Sequence, residues 1–277
     1  MTDSFLLAIP VFNEARHVAG VLTESRRYLS DVLVIDDGST DATRSILDQQ
    51  PDLHVIRHPE NLGYGASLAD AFRFARRRGF RWLITMDCDQ QHEPMRLPEF
   101  IRACRADDAD IISGSRYLDD RLHVTTAPED RRRINRCITD LLNRRLGLNL
   151  TDAFCEFKAY RVSRLDRFRI TVPGYAMPLQ FWVQAWRAGL RIGELPVGLI
   201  YNDPDRHFGG LLDNPDARLA HYLEVFHDEL AHPHAANPAG SPPQPAVTAG
   251  FVPPFPGPPC PTGRTSPAPP CAKRRTG

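Results

Sequence analysis

Two carboxylates spaced one residue apart, Asp87 and Asp89, directly follow an apolar segment that runs from Leu83 to Met86. A short apolar segment of this kind is typical of a buried strand, so the two side chains are expected at the rim of a sheet. Carboxylate oxygens are ligands that Mg²⁺ and similar cations prefer, and such cations also bind water and phosphate oxygens. The spacing therefore predicts a divalent-cation site that could hold a diphosphate.

Short apolar segments alternate with amphipathic helical patterns through the first half of the chain. This alternation predicts an α/β fold with a mostly parallel sheet flanked by helices. Strands are expected at 5–9, 32–35, 53–57, 81–86 and 110–113. In open sheets of this kind, ligands bind beyond the carboxyl ends of the strands. The residues that follow each strand are therefore expected to carry the chemistry.

Polar residues follow four of these strands, in the segments 10–14, 36–41, 87–91 and 114–116. Asp36 comes at the end of its strand and is a candidate acceptor for hydrogen bonds from a base or a ribose. Ser39 or Thr40 can cap the next helix. The segment 61–65 places two glycines before a helix, and we expect it to support the site rather than to contact a phosphate directly.

The second half of the chain is dominated by helical patterns. Helices are expected around apolar residues at 134–142, 179–186 and 219–226. The last two carry aromatic stripes, which include Trp182 and Tyr222 and which we interpret as core packing. From Pro233 onward the chain contains 14 of its 25 prolines and almost no periodicity. Residues 233–277 are therefore predicted to form a disordered tail.

The composition of the 277-residue chain is that of a globular enzyme, with 42% hydrophobic residues. Its 34 basic and 34 acidic residues balance, so the charge does not indicate a nucleic-acid partner. The six cysteines include no C-x-x-C pair, which argues against a zinc site and a disulfide framework. There is no signal-peptide pattern and no apolar segment of about 20 residues, so we expect a cytoplasmic protein that is at most peripheral to a membrane.

Five ordered motifs, taken together, resemble the family 2 glycosyltransferases of the GT-A fold. They are Pro10-Val11-Phe12-Asn13-Glu14, Val34-Ile35-Asp36-Asp37-Gly38-Ser39-Thr40-Asp41, Asn61-Leu62-Gly63-Tyr64-Gly65, Met86-Asp87-Cys88-Asp89-Gln90-Gln91-His92 and Gly114-Ser115-Arg116. Within that family the chain looks most like the dolichyl-phosphate mannosyltransferase and polyprenyl-phosphate glycosyltransferase branch. The resemblance implies a GT-A domain at 1–232, with a nucleotide-sugar-binding half at 1–116 and an acceptor-side half at 117–232.

The resemblance also implies which residues bind the donor, a UDP- or GDP-sugar. The residues expected to contact the nucleoside are Pro10, Phe12, Glu14, Val34 and Asp36. The residues expected to bind Mg²⁺ or Mn²⁺ with the donor diphosphate are Asp87, Asp89 and Gln91, and Cys88 lies in the same donor-binding segment. Arg116 would lie near the phosphates or the transferred sugar, and it is expected to be catalytic together with Asp89.

The same branch implies a polyprenyl phosphate as the acceptor. The arginines expected to bind its phosphate are Arg131 or Arg132, together with Arg206. Two positions differ from the branch pattern, because Glu156 stands where glycine is usual and Leu212 where a lysine is common. If the acceptor is instead a hydroxyl, a carboxylate must accept its proton, and Asp152 or Glu156 is the candidate for this catalytic role.

The mechanism implied by the resemblance is a single displacement with inversion at the anomeric carbon. Two other functions remain open at this point. A nucleotidylyltransferase would also use such a sheet and a metal, although the glycine-rich loop expected for a nucleoside triphosphate is missing after the first strand. A scaffold that binds nucleotide sugars without turnover would need the pocket alone.

Overall fold

The computed structural model describes residues 4–89, 92–201 and 210–232. Within these ranges the strands are β1 Phe5–Val11, β2 Val32–Asp36, β3 His54–Arg57, β4 Trp82–Thr85, β5 Ile111–Ser115, β6 Lys158–Arg161 and β7 Ile192–Pro196. The α-helices are α1 Val18–Ser25, α2 Thr43–Asp48, α3 Tyr64–Arg78, α4 Leu97–Ala106, α5 Glu129–Leu146, α6 Met177–Arg187 and α7 Pro215–Ala231. The five strands and the three later helices predicted from the sequence are confirmed.

The strands form one sheet with the order β3-β2-β1-β4-β6-β5-β7. Neighbouring strands pair in parallel except β6, which runs antiparallel to both β4 and β5. The predicted mostly parallel sheet is therefore confirmed. Strand β6 was not predicted, because its four residues begin with a lysine and end with an arginine and show no apolar pattern.

Alternate side chains of the strands pack into two hydrophobic layers, one on each face of the sheet. Leu7 and Ile9 of β1 belong to the layer that contains residues of α1 and α4. Leu6 and Ala8 belong to the layer that contains residues of α3, α5, α6 and α7. Trp182 is fully buried in this second layer, which confirms core packing for its helix. Both faces of the sheet are thus covered by helices. The carboxyl ends of the strands remain open to form a site.

Two predictions concern the ends of the chain and the membrane. The tail predicted at 233–277 lies outside the described residues. Among the residues that the structure does describe, no helix combines the length and the apolar character needed to cross a bilayer.

Candidate active site

Loops at the carboxyl ends of the strands enclose a cavity of about 420 Å³. Predicted site residues from both halves of the chain line it, namely Pro10, Phe12, Glu14, Asp87, Cys88, Asp89, Arg116 and Arg131. These residues come from the end of β1, from the segments that follow β1, β4 and β5, and from α5. The fold therefore brings together side chains that are far apart in the sequence.

The loop after β1 forms one wall of the cavity and is fixed by Asn13, whose φ of 58° lies in the left-handed region. The Asn13 side-chain oxygen accepts a hydrogen bond from the backbone N of Thr40 at 2.8 Å. The Asn13 backbone N donates to Ser39 Oγ at 3.0 Å. The capping role predicted for Ser39 or Thr40 is wrong, because α2 begins only at Thr43 and these residues tie two loops together instead.

The adjacent carboxylates Asp36 and Asp37 have different surroundings. Asp36 is 3% exposed, accepts a hydrogen bond from the backbone N of Ser39 at 3.0 Å, and does not line the cavity. Asp37 lines the cavity, and its carboxylate accepts hydrogen bonds from the backbone N of Leu62 and of Gly63 at 2.8 and 2.9 Å. The contact of Asp36 with a base or ribose stays a prediction, while Asp37 holds the loop before α3 against the site.

Two other predicted residues lie away from the cavity. Val34 is fully buried in the middle of β2 and packs in the layer that contains α1. Val34 does not line the cavity, and its contact with the nucleoside stays a prediction. Arg132 is exposed on α5, whereas Arg131 lines the cavity. Of the two alternatives for binding an acceptor phosphate, Arg131 is therefore the better placed.

The loop that carries Asp87 and Asp89 is held by His92, which the sequence reading did not single out. The backbone N of Asp87 donates a hydrogen bond to His92 Nδ1 at 3.1 Å, so this ring nitrogen must be unprotonated. Burial lowers the pKa of His92 to about 4, which keeps the imidazole neutral at pH 7. The histidine thereby fixes the backbone at the first of the two carboxylates.

The oxygen donors at this loop fit a hard divalent cation. Asp87 and Asp89 are half-buried and both line the cavity. Mg²⁺ is commonly held by one or two carboxylates, with substrate phosphates and water completing its shell. Gln91, the third predicted ligand, lies outside the described residues, as does Arg206. The described ranges contain no group of three or more His, Cys, Asp or Glu side chains placed to hold a metal ion.

Arg116 is held at the cavity by a bidentate ion pair with Asp152. Arg116 Nε donates to Asp152 Oδ2 at 2.7 Å and Nη2 donates to Oδ1 at 2.9 Å. Asn135 Nδ2 donates to the same Oδ1 at 2.7 Å. Burial alone would raise the pKa of Asp152, but the charge and hydrogen bonds of Arg116 lower it to about 2.

These contacts correct the catalytic role predicted for Asp152. Its side chain is fully buried and does not line the cavity, and both carboxylate oxygens already accept hydrogen bonds. A carboxylate with a pKa of about 2 is a weak proton acceptor at neutral pH. Asp152 instead orients Arg116.

A half-buried glutamate supports the turn that carries Asp152. Glu194 of β7 accepts hydrogen bonds from the backbone N and from Oγ1 of Thr151, at 2.9 and 2.8 Å. It also accepts one from the backbone N of Asp152 at 3.3 Å. Burial raises the pKa of Glu194 to about 7, although these hydrogen bonds oppose the shift.

Arginine and aromatic side chains from the second half of the chain complete the cavity lining. The guanidinium carbon of Arg131 lies 5.5 Å from the centroid of the Tyr201 ring. Arg218 is 3% exposed, donates to the backbone O of Leu212 at 2.8 Å and pairs with Asp130. The aromatic residues that this half contributes to the lining are Tyr117, Phe154, Tyr175, Tyr201 and Tyr222, and the first half contributes Phe12 and Tyr64.

Most of these lining residues were missed by the sequence reading. Tyr222 was assigned to core packing, and it is indeed 3% exposed, yet it also borders the cavity. A usable signal was the polar tip of a tyrosine on an otherwise apolar stripe, since buried tyrosine hydroxyls usually need a partner. Arg218 gave no signal, because a lone arginine on a helix is usually solvated.

The sheet order, the antiparallel strand β6 and the cavity beyond the strand ends define an α/β protein of the GT-A class. Solved structures share this fold. Mannosyl-3-phosphoglycerate synthase from Rubrobacter xylanophilus has a TM-score of 0.65 at 14% identity, over 86% of this chain and 78% of that one. Glucosyl-3-phosphoglycerate synthase from Mycobacterium tuberculosis, in complex with Mn²⁺, UDP-glucose and glycerol 3-phosphate, has a TM-score of 0.64 at 16% identity, over 84% of this chain and 82% of that one. The predicted fold class is confirmed.

Residues 7–168, more than half of the chain, match the family described as glycosyl transferase family 2, and the protein belongs to this family of glycosyltransferases. Undecaprenyl-phosphate mannosyltransferase from Micrococcus luteus is 33% identical over 204 residues, which cover 70% of this chain and 83% of that protein. Polyprenol monophosphomannose synthase from Mycolicibacterium smegmatis is 28% identical over 206 residues, which cover 71% and 77%. The resemblance to the polyprenyl-phosphate branch is confirmed, and the alternatives of a nucleotidylyltransferase and an inactive scaffold are set aside.

Proposed function

We propose that the protein transfers a mannosyl residue from a nucleotide sugar, GDP- or UDP-linked, to a polyprenyl phosphate. The proposal is carried by one cavity that is lined both by the carboxylates Asp87 and Asp89 and by the arginines Arg116, Arg131 and Arg218. The first set suits a cation with a diphosphate, and the second suits an anionic acceptor. The names of the two relatives support a mannosyl donor and a lipid-phosphate acceptor.

On the donor side, we propose that Pro10, Phe12, Glu14 and Asp36 contact the nucleoside. Asp87 and Asp89, with Gln91, would hold Mg²⁺ or Mn²⁺ against the diphosphate, and Cys88 would border it. The ion, when bound, would neutralise the charge that develops on the departing nucleoside diphosphate. Arg116 would lie near the departing diphosphate, and its pairing with Asp152 fixes its position and, despite burial, raises its pKa well above the usual value.

On the acceptor side, a phosphate oxygen would attack the anomeric carbon as the bond from that carbon to the diphosphate oxygen breaks, which inverts the configuration. A lipid phosphate is already ionised at neutral pH, so this reaction needs no general base. The lack of need for a base agrees with the ion pair that already occupies the Asp152 carboxylate. Arg131, together with Arg206, would bind the acceptor phosphate, and the tyrosine rings offer apolar surface for the first isoprene units.

The division of labour within 1–232 follows from this assignment. Residues 1–116 would bind the donor and residues 117–232 would bind the acceptor. Because a polyprenyl chain resides in a bilayer, we propose that the protein works as a peripheral protein at the membrane surface. Glu156 lines the cavity and would be the proton acceptor if the acceptor were a hydroxyl.

The direct test supplies radiolabelled GDP-mannose, UDP-mannose or UDP-glucose with Mn²⁺ and either undecaprenyl phosphate or undecaprenol in detergent. The expected result is label in the lipid fraction with the phosphate acceptor alone, loss of transfer with EDTA, and release of a nucleoside diphosphate. Transfer to undecaprenol would favour the hydroxyl-acceptor reaction. A folded protein that labels neither lipid with any of these donors would refute the proposal.

A further inference from the structure

One arginine of the cavity lining, Arg218 of α7, is bound by the protein itself. Its side chain is only 3% exposed. Arg218 Nη1 donates to the backbone O of Leu212 at 2.8 Å, and Nη2 forms an ion pair with Asp130 Oδ2. A buried guanidinium whose nitrogens already bind other parts of the chain is better suited to hold neighbouring groups in place than to contact a ligand.

The two helices that the ion pair joins begin differently. At the start of α7, the Asn214 side chain accepts hydrogen bonds from the backbone N of Asp216 and of Ala217, at 3.0 and 2.9 Å. These bonds satisfy N–H groups that a helix leaves unpaired at its start. At the start of α5 the N-cap residue is Pro128, which has no polar side chain for this purpose. The first turn of α5 therefore depends more on contacts from outside the helix.

This first turn of α5 carries both Asp130 and its neighbour Arg131. Arg131 lines the cavity, where its guanidinium carbon lies 5.5 Å from the centroid of the Tyr201 ring. Arg218 reaches the same turn from α7 through Asp130, whose side chain is 36% exposed. The ion pair thus connects a helix start that has its own side-chain cap to one whose N-cap residue is a proline.

Tyr222 lies close to both arginines. It follows Arg218 by about one helical turn, so the two residues share a face of α7, and it also lines the cavity. Burial raises the pKa of the Tyr222 hydroxyl to about 12, while the positive charges of Arg218 and Arg131 act against this shift. Both guanidinium groups are therefore near this ring, at the end of the cavity where the acceptor phosphate is proposed to bind.

Stability alone is a poor explanation for a buried arginine at this position. Burying an ion pair removes its hydration, and apolar residues of similar volume often stabilise a protein equally well or better. Arg218 also lies in the first turn of α7, where the positive end of the helix dipole disfavours a cation. An ion pair that is unfavourable on both counts is explained if it fixes the position of a functional group.

We propose that Arg218 is a positioning residue for the acceptor: through Asp130 it fixes the first turn of α5, and this turn holds Arg131 toward the acceptor phosphate. The inference rests on the proposed function, because it requires an acceptor phosphate bound by Arg131. It predicts that loss of Arg218 weakens use of the acceptor, leaves use of the donor nearly unchanged, and has no further effect once Arg131 is absent.

The test measures steady-state transfer to undecaprenyl phosphate in Mn²⁺, with GDP-mannose or UDP-mannose, whichever the wild type uses. The variants are Arg218→Met, which keeps an unbranched side chain without the charge, and Asp130→Asn. In each of them the KM for undecaprenyl phosphate should rise about tenfold, which is the usual effect of losing one charged hydrogen bond. The KM for the donor and the kcat at saturating acceptor should change by less than about twofold.

A double variant separates positioning from direct contact. Arg131→Gln by itself should raise the acceptor KM at least as much as Arg218→Met does. In the Arg131→Gln background, Arg218→Met should raise it by less than about twofold further, because the residue through which it acts is gone. If Arg218 bound the phosphate itself, the two losses would multiply, and the positioning role would be refuted.

The matched control is a second ion pair between the same two helices. Arg133 Nη2 of α5 lies 3.4 Å from Asp216 Oδ1 of α7, but both side chains are exposed and neither residue lines the cavity. Arg133→Met should leave both KM values unchanged. If it raised the acceptor KM as much as Arg218→Met does, the effect would come from the general attachment of the two helices, and the inference would be refuted.

The outcomes distinguish this inference from the proposed function. If the wild type transfers sugar to undecaprenyl phosphate while Arg218→Met and Asp130→Asn keep the wild-type acceptor KM, the positioning role is refuted and the proposed function stands. Equal increases in the KM of donor and acceptor would also refute it. If the wild type labels no lipid with either donor, the proposed function fails and the inference fails with it.

Discussion

The buried pair of Arg116 and Asp152 yields a prediction that separates a positioning role from an acid–base role. The Asp152→Asn substitution keeps the shape of the side chain but removes its charge. Arg116 Nε and Nη2 would then face a neutral amide instead of the two carboxylate oxygens at 2.7 and 2.9 Å. Because Asp152 is fully buried, water cannot replace the lost charge.

The size of the effect follows from the titration of Asp152. Its pKa falls from 3.8 to about 2, because the pairing with Arg116 outweighs the effect of burial. At about 1.4 kcal/mol for each pKa unit, the native state prefers the ionised form by about 2 kcal/mol. Leaving a buried arginine unpaired adds to this, so we expect a loss of about 3 kcal/mol and a melting temperature lowered by about 6–12 °C.

The assay is thermal and urea unfolding of Asp152→Asn, Arg116→Gln and the double variant. The two changes should not add, with a coupling of about 2 kcal/mol, because each removes the same interaction. The stability difference from the wild type should narrow as the pH falls from about 4 to about 2, since Asp152 then becomes protonated in both states. Asp216→Asn is the control, because its ion pair with Arg133 is exposed and should contribute less than about 0.5 kcal/mol.

The opposite pattern would refute this reasoning. If Asp152 accepted a proton during catalysis, Asp152→Asn would keep the wild-type melting temperature and lose turnover, and the pH–rate profile would lose its acidic limb.

Three further predictions concern the site and the fold. Asp89→Asn should lower sugar transfer at least about 100-fold, because a metal ligand is lost, while the melting temperature of the ligand-free protein changes by less than about 2 °C. His58 has both ring nitrogens within 3.0 Å of carboxylate oxygens, which raise its pKa against the effect of burial. In urea unfolding the wild type should therefore be more stable than His58→Gln. This stability difference should be full below pH 6.5 and should decline as the pH rises through the raised pKa. Gly65→Ala should destabilise the protein by more than about 2 kcal/mol, because the new Cβ would lie 2.0 Å from the backbone O of Val172. At Gly20 nothing lies within 4 Å of the added Cβ, so Gly20→Ala should stabilise α1 by about 0.5–1 kcal/mol.

Each of these predictions has an outcome that would contradict it. If Asp89→Asn transferred sugar at the wild-type rate, the proposal that Asp89 binds a metal ion would be refuted. A stability difference for His58→Gln that is independent of pH would mean that His58 is neutral in the native state. Equal stabilisation by Gly65→Ala and Gly20→Ala would show that the 172–173 backbone does not restrict α3.

The strands and the class of the protein were predictable because their signals are local. Apolar segments such as Leu83 to Met86 indicate buried strands by themselves, and acidic residues such as Asp87 directly after a strand indicate a ligand edge. The antiparallel β6 was not predictable. Its placement between β4 and β5 depends on pairing with segments distant in the chain, while its own residues are mixed in polarity.

The amino-acid sequence determined the sheet, the edge on which the site lies, the family and the carboxylates Asp87 and Asp89, because periodicity and motif spacing are properties of neighbouring residues. Tertiary structure decided which side chains face the cavity. The Val34 side chain packs in the core, and the Asp152 carboxylate is buried behind Arg116. Burial and charge pairing arise only when segments far apart in the chain meet, and they set whether a polar group binds a ligand or holds the fold.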